Sequence, residues 1–273
     1  MEVGQYRVID KIGEGGAGIV YKAEHTLTKQ TVAIKELSRE FSISEDMKER
    51  FIREARIQAK LNHKNIVRLY NFIEQDGLFY LIMEYMEGKR LDHIIKEQTP
   101  MEYGKCLQYF KQILDGVGFA HSQGIIHRDI KPANVIVDND GTIKIMDFGI
   151  AKGQDDAHLT KTGTSMGTLR YMAPEQVRGE KVGVHSDVYS LGMTLYEMVT
   201  GSTPFKSDSA YHLMKEIVDE AISSPAKFRN DIPETIENAI MKACAKNPSD
   251  RFVSTSGFSK ALDDWNRPIS GEK

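Results

Sequence analysis

His127-Arg128-Asp129-Ile130-Lys131-Pro132-Ala133-Asn134 is followed, thirteen residues after Asn134, by Asp147-Phe148-Gly149. The spacing His-Arg-Asp-x-Lys-x-x-Asn is expected by chance in only ~10⁻⁴ chains of this length at typical residue frequencies. Upstream, Gly13-Glu14-Gly15-Gly16-Ala17-Gly18-Ile19-Val20 has the form G-x-G-x-x-G-x-V. Alone that pattern is weak, since its glycines recur by chance in ~0.1 of such chains. Its context says more. Residues without Cβ let a strand-turn-strand bring backbone N–H groups against anionic oxygens. Ile19–Ala23 reads as a strand, whereas a dinucleotide-binding unit places a helix after its glycines. Val32-Ala33-Ile34-Lys35 then sets a lysine on the third strand, with Ala33 and Lys35 on one face beneath the glycine loop. A lysine on a buried face needs an anion. Glu54, in the helix that follows, would by itself read as a solvated carboxylate, and only the other motifs make it the favoured partner. A contact at ~4 Å and an effective dielectric of ~20 would be worth ~4 kcal/mol before desolvation.

The rest of the chain fits one soluble globular class. It has 273 residues, 36 basic and 39 acidic, for a net charge of −3, with 40% apolar and 27% charged residues. That balance, without a long basic block, argues against a nucleic-acid surface. Two cysteines without metal-ligand spacing argue against disulfides and zinc. No run approaches the ~18 apolar residues needed to cross a bilayer. Tyr6–Ile12, Ile19–Ala23, Thr31–Glu36, Ile66–Ile73 and Leu78–Glu84 read as strands, with Asp76-Gly77 as a hairpin turn. A capping box at Ser42–Glu45 opens a helix expected to reach Asn62, with Phe51, Ile52, Ala55, Ile57 and Ala59 on its apolar face. Beyond Glu87-Gly88-Lys89 helical spacing dominates, as in Leu107, Phe110, Ile113, Leu114 and Val117, and again in Val188, Leu191, Leu195, Met198 and Val199 up to Gly201. Short β-like runs, Val135–Val137 and Ile143–Met146, lie between, and Gln154–Gly167 reads as a polar loop.

Taken together, the motifs resemble the eukaryotic-like (Hanks-type) serine/threonine protein kinase catalytic domain, in its bacterial form, over roughly residues 6–265. The resemblance implies an α+β, two-lobed fold. A small antiparallel five-stranded β lobe with one key helix would span residues 1–86, and a larger, mainly helical lobe residues 87–273. The hinge would fall at about 84–88, the catalytic loop at 127–134 and the activation segment at 147–175. It implies transfer of the γ-phosphate of ATP to Ser or Thr hydroxyls of proteins. Asp129 would accept the substrate proton, Lys131 would neutralise the γ-phosphate, and Lys35 and Glu54 would form the phosphate-orienting pair. Asn134 and Asp147 would hold Mg²⁺, with Mn²⁺ as an alternative. Ile12, Gly13, Glu14, Gly15, Gly16, Ala17, Gly18, Val20, Ala33, Lys35, Met83, Glu84, Met86 and Ile136 would surround ATP, Met83 as gatekeeper and Glu84 and Met86 through their backbones. Arg90 stands where the family has a ribose-contacting acid.

Asp-x-Lys-Pro-x-Asn and Gly167-Thr168 favour a Ser/Thr acceptor, with Thr168 placed to contact Asp129 and Lys131. Arg128 implies control by phosphate on the activation loop, with Thr160, Thr162 and Thr164 as the candidate sites. Glu175 resembles an acid paired with Arg251, and Asp187 one that anchors the catalytic-loop backbone. Gln58, where the family often has an apolar side chain, is expected to loosen the helix carrying Glu54. The implied partners are ATP, protein substrates and a second copy for trans-autophosphorylation, with no nucleic acid and no membrane contact from this chain. A cytoplasmic location follows, either alone or as the cytosolic kinase domain of a longer, membrane-anchored protein. A non-catalytic scaffold, a nucleotide-cofactor enzyme and a small-molecule kinase of the same fold stand as alternatives.

Overall fold

The computed structural model describes residues 1–15, 18–37, 45–148 and 166–265. The expected features at Gly16, Ala17, Ser42, Thr160, Thr162 and Thr164 lie outside the described residues. The N-terminal part is an antiparallel sheet in the order β1-β2-β3-β4-β6-β5. Its strands are β1 (Glu2–Val3), β2 (Tyr6–Gly15), β3 (Gly18–His25), β4 (Thr31–Leu37), β5 (Leu69–Gln75) and β6 (Leu78–Glu84). The sheet thus has six strands where five were expected. The extra one, β1, is two residues long, too short to show any period in the sequence. The Asp76-Gly77 turn forms as expected, both residues at positive φ, the geometry of a two-residue hairpin.

Helix α1 (Glu45–Gln58) packs Phe51 and Ala55 against Leu37, Phe79 and Leu81 of the sheet. It stops four residues short of the expected Asn62. The Lys60 and Leu61 amides turn back to Ile57 and Gln58, both at 3.0 Å, which tightens the last turn and drops Leu61 into the core of the helical part. Ala59, expected on the apolar face, is exposed, while Glu54 and Gln58 are buried. Strand β5 also starts three residues later than expected. Ile66 and Val67 pair instead with the strand ahead of Asp147: Val67 N donates to Ile145 O at 3.0 Å and Ile145 N to Asn65 O at 2.9 Å.

The C-terminal part is built on helices α2 (Leu91–Glu97), α3 (Tyr103–Ser122), α4 (Met166–Leu169), α5 (Pro174–Val177), α6 (Val184–Thr200), α7 (Ala210–Asp219), α8 (Glu234–Ala243) and α9 (Thr255–Ala261). Both expected apolar stripes are buried, in α3 and in α6, and Gly201 ends α6 in the left-handed region. Glu102 caps α3 by accepting from Gly104 N and Lys105 N, at 2.7 and 2.8 Å. A second sheet, β7 (Gly88–Arg90), β8 (Val135–Asp138) and β9 (Ile143–Ile145), brackets the 127–134 loop. Its strand β7 was invisible in the sequence because all three residues are exposed and none is apolar. Met166 and Gly167, expected in the polar loop, are helical in α4.

One buried ion pair ties the segment after the 127–134 loop to the C-terminal end. Arg251 bonds Glu175 in a bidentate fork at 2.7 and 2.9 Å, and spends its remaining donors on the carbonyls of Ala245, His185 and Lys246. Burial opposes ionisation of Glu175, yet the bonds and charge of Arg251 hold its carboxyl below the ordinary value. Removing one partner of such a pair strands a buried charge, at a cost of about 3–5 kcal/mol. Arg251→Met is therefore expected to lower unfolding stability by about that amount in urea titration, with part recovered in Glu175→Gln/Arg251→Met. A loss under about 1 kcal/mol would show the pair to be dispensable.

Candidate active site

The glycine stretch is a hairpin in which Gly13 faces Val20, Glu14 faces Ile19 and Gly15 faces Gly18 across β2 and β3. The glycines do different work. A Cβ on Gly18, at φ 151°, would lie 1.8 Å from the Glu36 carbonyl oxygen, so only glycine lets β3 pass β4 here. A Cβ on Gly15 would meet nothing within 4 Å, which leaves open space over the hairpin. Below it, strand register places Val20 opposite Lys35 and Ala33 opposite Met83. Val20, Ala33 and Met83 share one apolar cluster, whereas Ile12 is 47% exposed and Ile136 half-buried, outside it. Glu84 donates its backbone N–H to Arg68 O at 2.8 Å. Its side chain accepts from Lys144 Nζ at 2.8 Å, tying the end of β6 to β9, and Met86 lies half-buried just beyond. Arg90 is engaged by Asp92 through two bonds, at 3.0 and 2.8 Å.

Lys35 is the centre of the arrangement. Its ammonium donates to Glu54 Oε1 at 3.1 Å and to Asp147 Oδ1 at 2.8 Å, joining β4, α1 and the segment after β9. Burial works against the lysine's charge, but Asp147 and Glu54 outweigh it and push the ammonium above its ordinary range. The carboxylates respond oppositely. The Lys35 charge, against burial, holds Asp147 below its usual value; burial raises Glu54 despite Lys35.

The 127–134 loop lies beside this centre. Lys131 Nζ bridges Asp129 Oδ2 and Thr168 Oγ1, both at 2.7 Å. Asn134 Nδ2 donates to Asp129 O and Oδ2, at 2.9 and 3.1 Å. His127 is fully buried, and burial lowers its pKa. A neutral ring protonated on Nε2 satisfies both its contacts, donating to Met146 O at 3.2 Å and accepting Asp129 N on Nδ1 at 3.3 Å. The ring thereby links the backbones at Asp129 and ahead of Asp147. Asp187, fully buried on α6, fixes the loop from behind by accepting from His127 N, Arg128 N and His121 Nε2, at 2.8, 2.8 and 2.7 Å. Arg128 and Asp147 are held at positive φ, 66° and 49°. Non-glycine residues keep such strain only where surrounding bonds over-determine it, and that is typical of functional sites.

The structure brings together Lys35, Glu54 and Asp147, and joins Asp129, Lys131, Asn134 and Thr168 in one bonded set. Sequence reading missed His121 as a partner of Asp187 and Lys144 as a partner of Glu84. These contacts span 66 and 60 residues, beyond any local pattern.

The protein kinase domain family matches residues 6–262, and the chain belongs to it. Within that family it is a serine/threonine kinase domain of the bacterial Hanks type. It is 38% identical over 252 residues to a probable serine/threonine-protein kinase of Clostridium acetobutylicum, covering 92% of this chain and 38% of the relative. It is 37% identical over 249 residues to the serine/threonine-protein kinase PrkC of Bacillus subtilis, covering 91% and 38%. The chain therefore spans about two fifths of the length of these curated relatives. The crystal structure of the PknI kinase domain of Mycobacterium tuberculosis superposes with a TM-score of 0.76 at 25% identity, covering 97% of both chains.

The electrostatics of the centre can be tested directly. A depressed Asp147 contributes stability that is present above its ordinary value and lost as pH falls through the depressed one. A raised Glu54 does the reverse: its ionisation weakens the fold as pH rises through the raised value. Carboxyl carbon NMR titration is expected to find Glu54 titrating above, and Asp147 below, the ordinary range of its residue type. Both are expected to move up in Lys35→Met. Two carboxyls indifferent to that substitution would show that Lys35 does not set the field here.

Proposed function

We propose that this domain transfers the γ-phosphate of ATP to Ser or Thr hydroxyls of protein substrates. The observation that carries this reading is the bridging of Glu54 and Asp147 by Lys35, beside the bonded set Asp129–Lys131–Thr168. Phosphoryl transfer asks the protein mainly to position groups and to balance negative charge. Lys35, oriented by Glu54, would bind phosphate oxygens. Asp129, flanked by Lys131 and Asn134, would hold the acceptor hydroxyl and take its proton. Lys131 would steady the γ-phosphate, and Thr168 would hold Lys131 in place.

The donor set suits a hard divalent cation. Asp147 presents a carboxylate kept ionised by its neighbour, and Asn134 commits its amide nitrogen to Asp129, which leaves the amide oxygen for a ligand. Among the described residues no cluster of three or more His, Cys, Asp or Glu side chains could hold a metal alone. Two oxygen donors match Mg²⁺, which is commonly bound by one or two carboxylates together with substrate phosphates. Mg²⁺, or Mn²⁺ in its place, would neutralise charge on the phosphates when bound. The adenine slot would be formed by Val20, Ala33 and Met83, closed by Ile12 and Ile136, with backbone groups of Glu84 and Met86 meeting the base. Gly13, Glu14, Gly15, Gly16, Ala17 and Gly18 would cover the phosphates.

We assign residues 1–86 to an ATP-binding lobe, 84–88 to the hinge and 87–273 to the helical lobe. Thr160, Thr162 and Thr164 are the proposed autophosphorylation sites, acting through Arg128 and reached by transient self-association. Among the described residues no helix is long and apolar enough to cross a membrane. A cytoplasmic location, including that of a cytosolic domain of a longer protein, is part of the proposal.

Incubation with radiolabelled ATP and a basic carrier protein is expected to give phosphoserine and phosphothreonine, with Mg²⁺ or Mn²⁺ required. Asp129→Asn is expected to lose about 10²–10⁴-fold in kcat, the usual worth of a positioned base. Mass spectrometry is expected to find phosphate on the 160–164 threonines, and their joint replacement by alanine to lower activity. Phosphotyrosine as the product, or an Asp129→Asn variant with undiminished transfer, would contradict the assignment.

A further inference from the structure

Gln58 lies one turn after Glu54 on α1, where the sequence suggested that a polar side chain would loosen the helix. The structure points the other way. Gln58 is 2% exposed, and its Nε2 donates to Val67 O at 3.1 Å. Val67 is no ordinary acceptor. Its own N–H donates to Ile145 O at 3.0 Å, and Ile145 N returns a bond to Asn65 O at 2.9 Å. The next residue, Met146, donates its N–H to Asn134 O at 2.8 Å and accepts from His127 with its carbonyl. Segment 65–67 therefore belongs to the same bonded layer that carries Asn134 and leads into Asp147.

We propose that Gln58 is a positioning residue whose amide, bonded to Val67 O, fixes the rotation of α1 that aims Glu54 at Lys35. Residues four apart on a helix lie about 40° apart around its axis, so the direction of one sets that of the other. Among the described residues, the other holds on α1 are the Lys35–Glu54 pair itself, the Lys48 ammonium over the Phe79 ring, and the apolar contacts of Phe51 and Ala55. Apolar contact is non-directional and tolerates rotation of the helix. A hydrogen bond does not, because it weakens steeply as its angle departs from linear. The amide thus adds an angular constraint, one that refers α1 to the layer bearing Asp147 rather than to the neighbouring sheet. Glu54 and Asp147 then reach Lys35 from elements already registered to each other. This inference rests on the kinase reading only in its activity readout.

The test is a double-mutant cycle. Gln58→Met keeps the unbranched length and removes the amide; Gln58→Leu is a second apolar replacement should the first fail to fold. In the otherwise native domain each is expected to lower kcat/KM for ATP by about five- to tenfold, the scale of one lost hydrogen bond. In a Glu54→Gln background the same change is expected to cost less than about twofold, since residues acting through one another are not additive. Hydrogen exchange of the Glu54–Gln58 amides is expected to quicken in the Gln58 variants. Equal losses in both backgrounds would show a packing role, and undiminished activity with unchanged exchange would remove the latch altogether. Should the native domain show no phosphoryl transfer, the kinase reading fails, while the exchange rates still decide the latch.

Discussion

One ammonium, on Lys35, faces two carboxylates, on Glu54 and Asp147, at 3.1 and 2.8 Å. The three residues come from a strand, a helix and a segment more than a hundred positions downstream, so the pair of contacts requires the whole fold to close correctly. The local balance is one positive charge against two negative ones. A polyphosphate entering that space, as the proposed function implies, would deepen the deficit, and a divalent cation held by Asp147 would restore it. The arrangement is thus poised between two states. In the one seen, Lys35 satisfies both carboxylates; in the other, which the proposed function implies, Asp147 would be free to hold a metal and Lys35 would bind phosphate while keeping Glu54.

The surrounding structure holds the backbone around these groups in place. Asp187 fixes the backbone of the 127–134 loop through two amides, and His127 carries the constraint on to Met146. The positive φ of Arg128 and of Asp147 is the strain these bonds hold in place. Gln176 adds a further tie by donating to Arg128 O at 3.0 Å. Beneath, the Glu175–Arg251 fork anchors the segment following Thr168 to the base of the helical part. The 127–134 loop and the segment following Thr168 are therefore held by separate buried polar anchors, Asp187 and the Glu175–Arg251 fork.

Much of this was legible in the sequence, because the chemistry uses residue types in fixed local spacings. The 127–134 stretch, the strand after the glycines and the lysine on the third strand each had a physical reading before any fold was known. Apolar stripes in α3 and α6 read well for the same reason: period 3.6 is strong over twenty and seventeen residues. What escaped has the opposite character. Strand β7 is short and wholly exposed, β1 is two residues long, and neither carries a period. Ile66 and Val67 looked like the start of β5 because β-like composition does not say which strand is the partner. The contact of Gln58 escaped because sequence shows its polarity but not the carbonyl it meets.

Under the proposed function, Asp147 is expected to leave Lys35 when nucleotide and metal arrive. A crystal structure of the domain with Mg²⁺ and a non-hydrolysable ATP analogue tests this directly. Lys35 Nζ is predicted to keep its bond to Glu54 and exchange Asp147 for a phosphate oxygen, with Asp147 and Asn134 bound to the metal. A nucleotide bound with Lys35 still clasping Asp147, and with no metal on either residue, would contradict it.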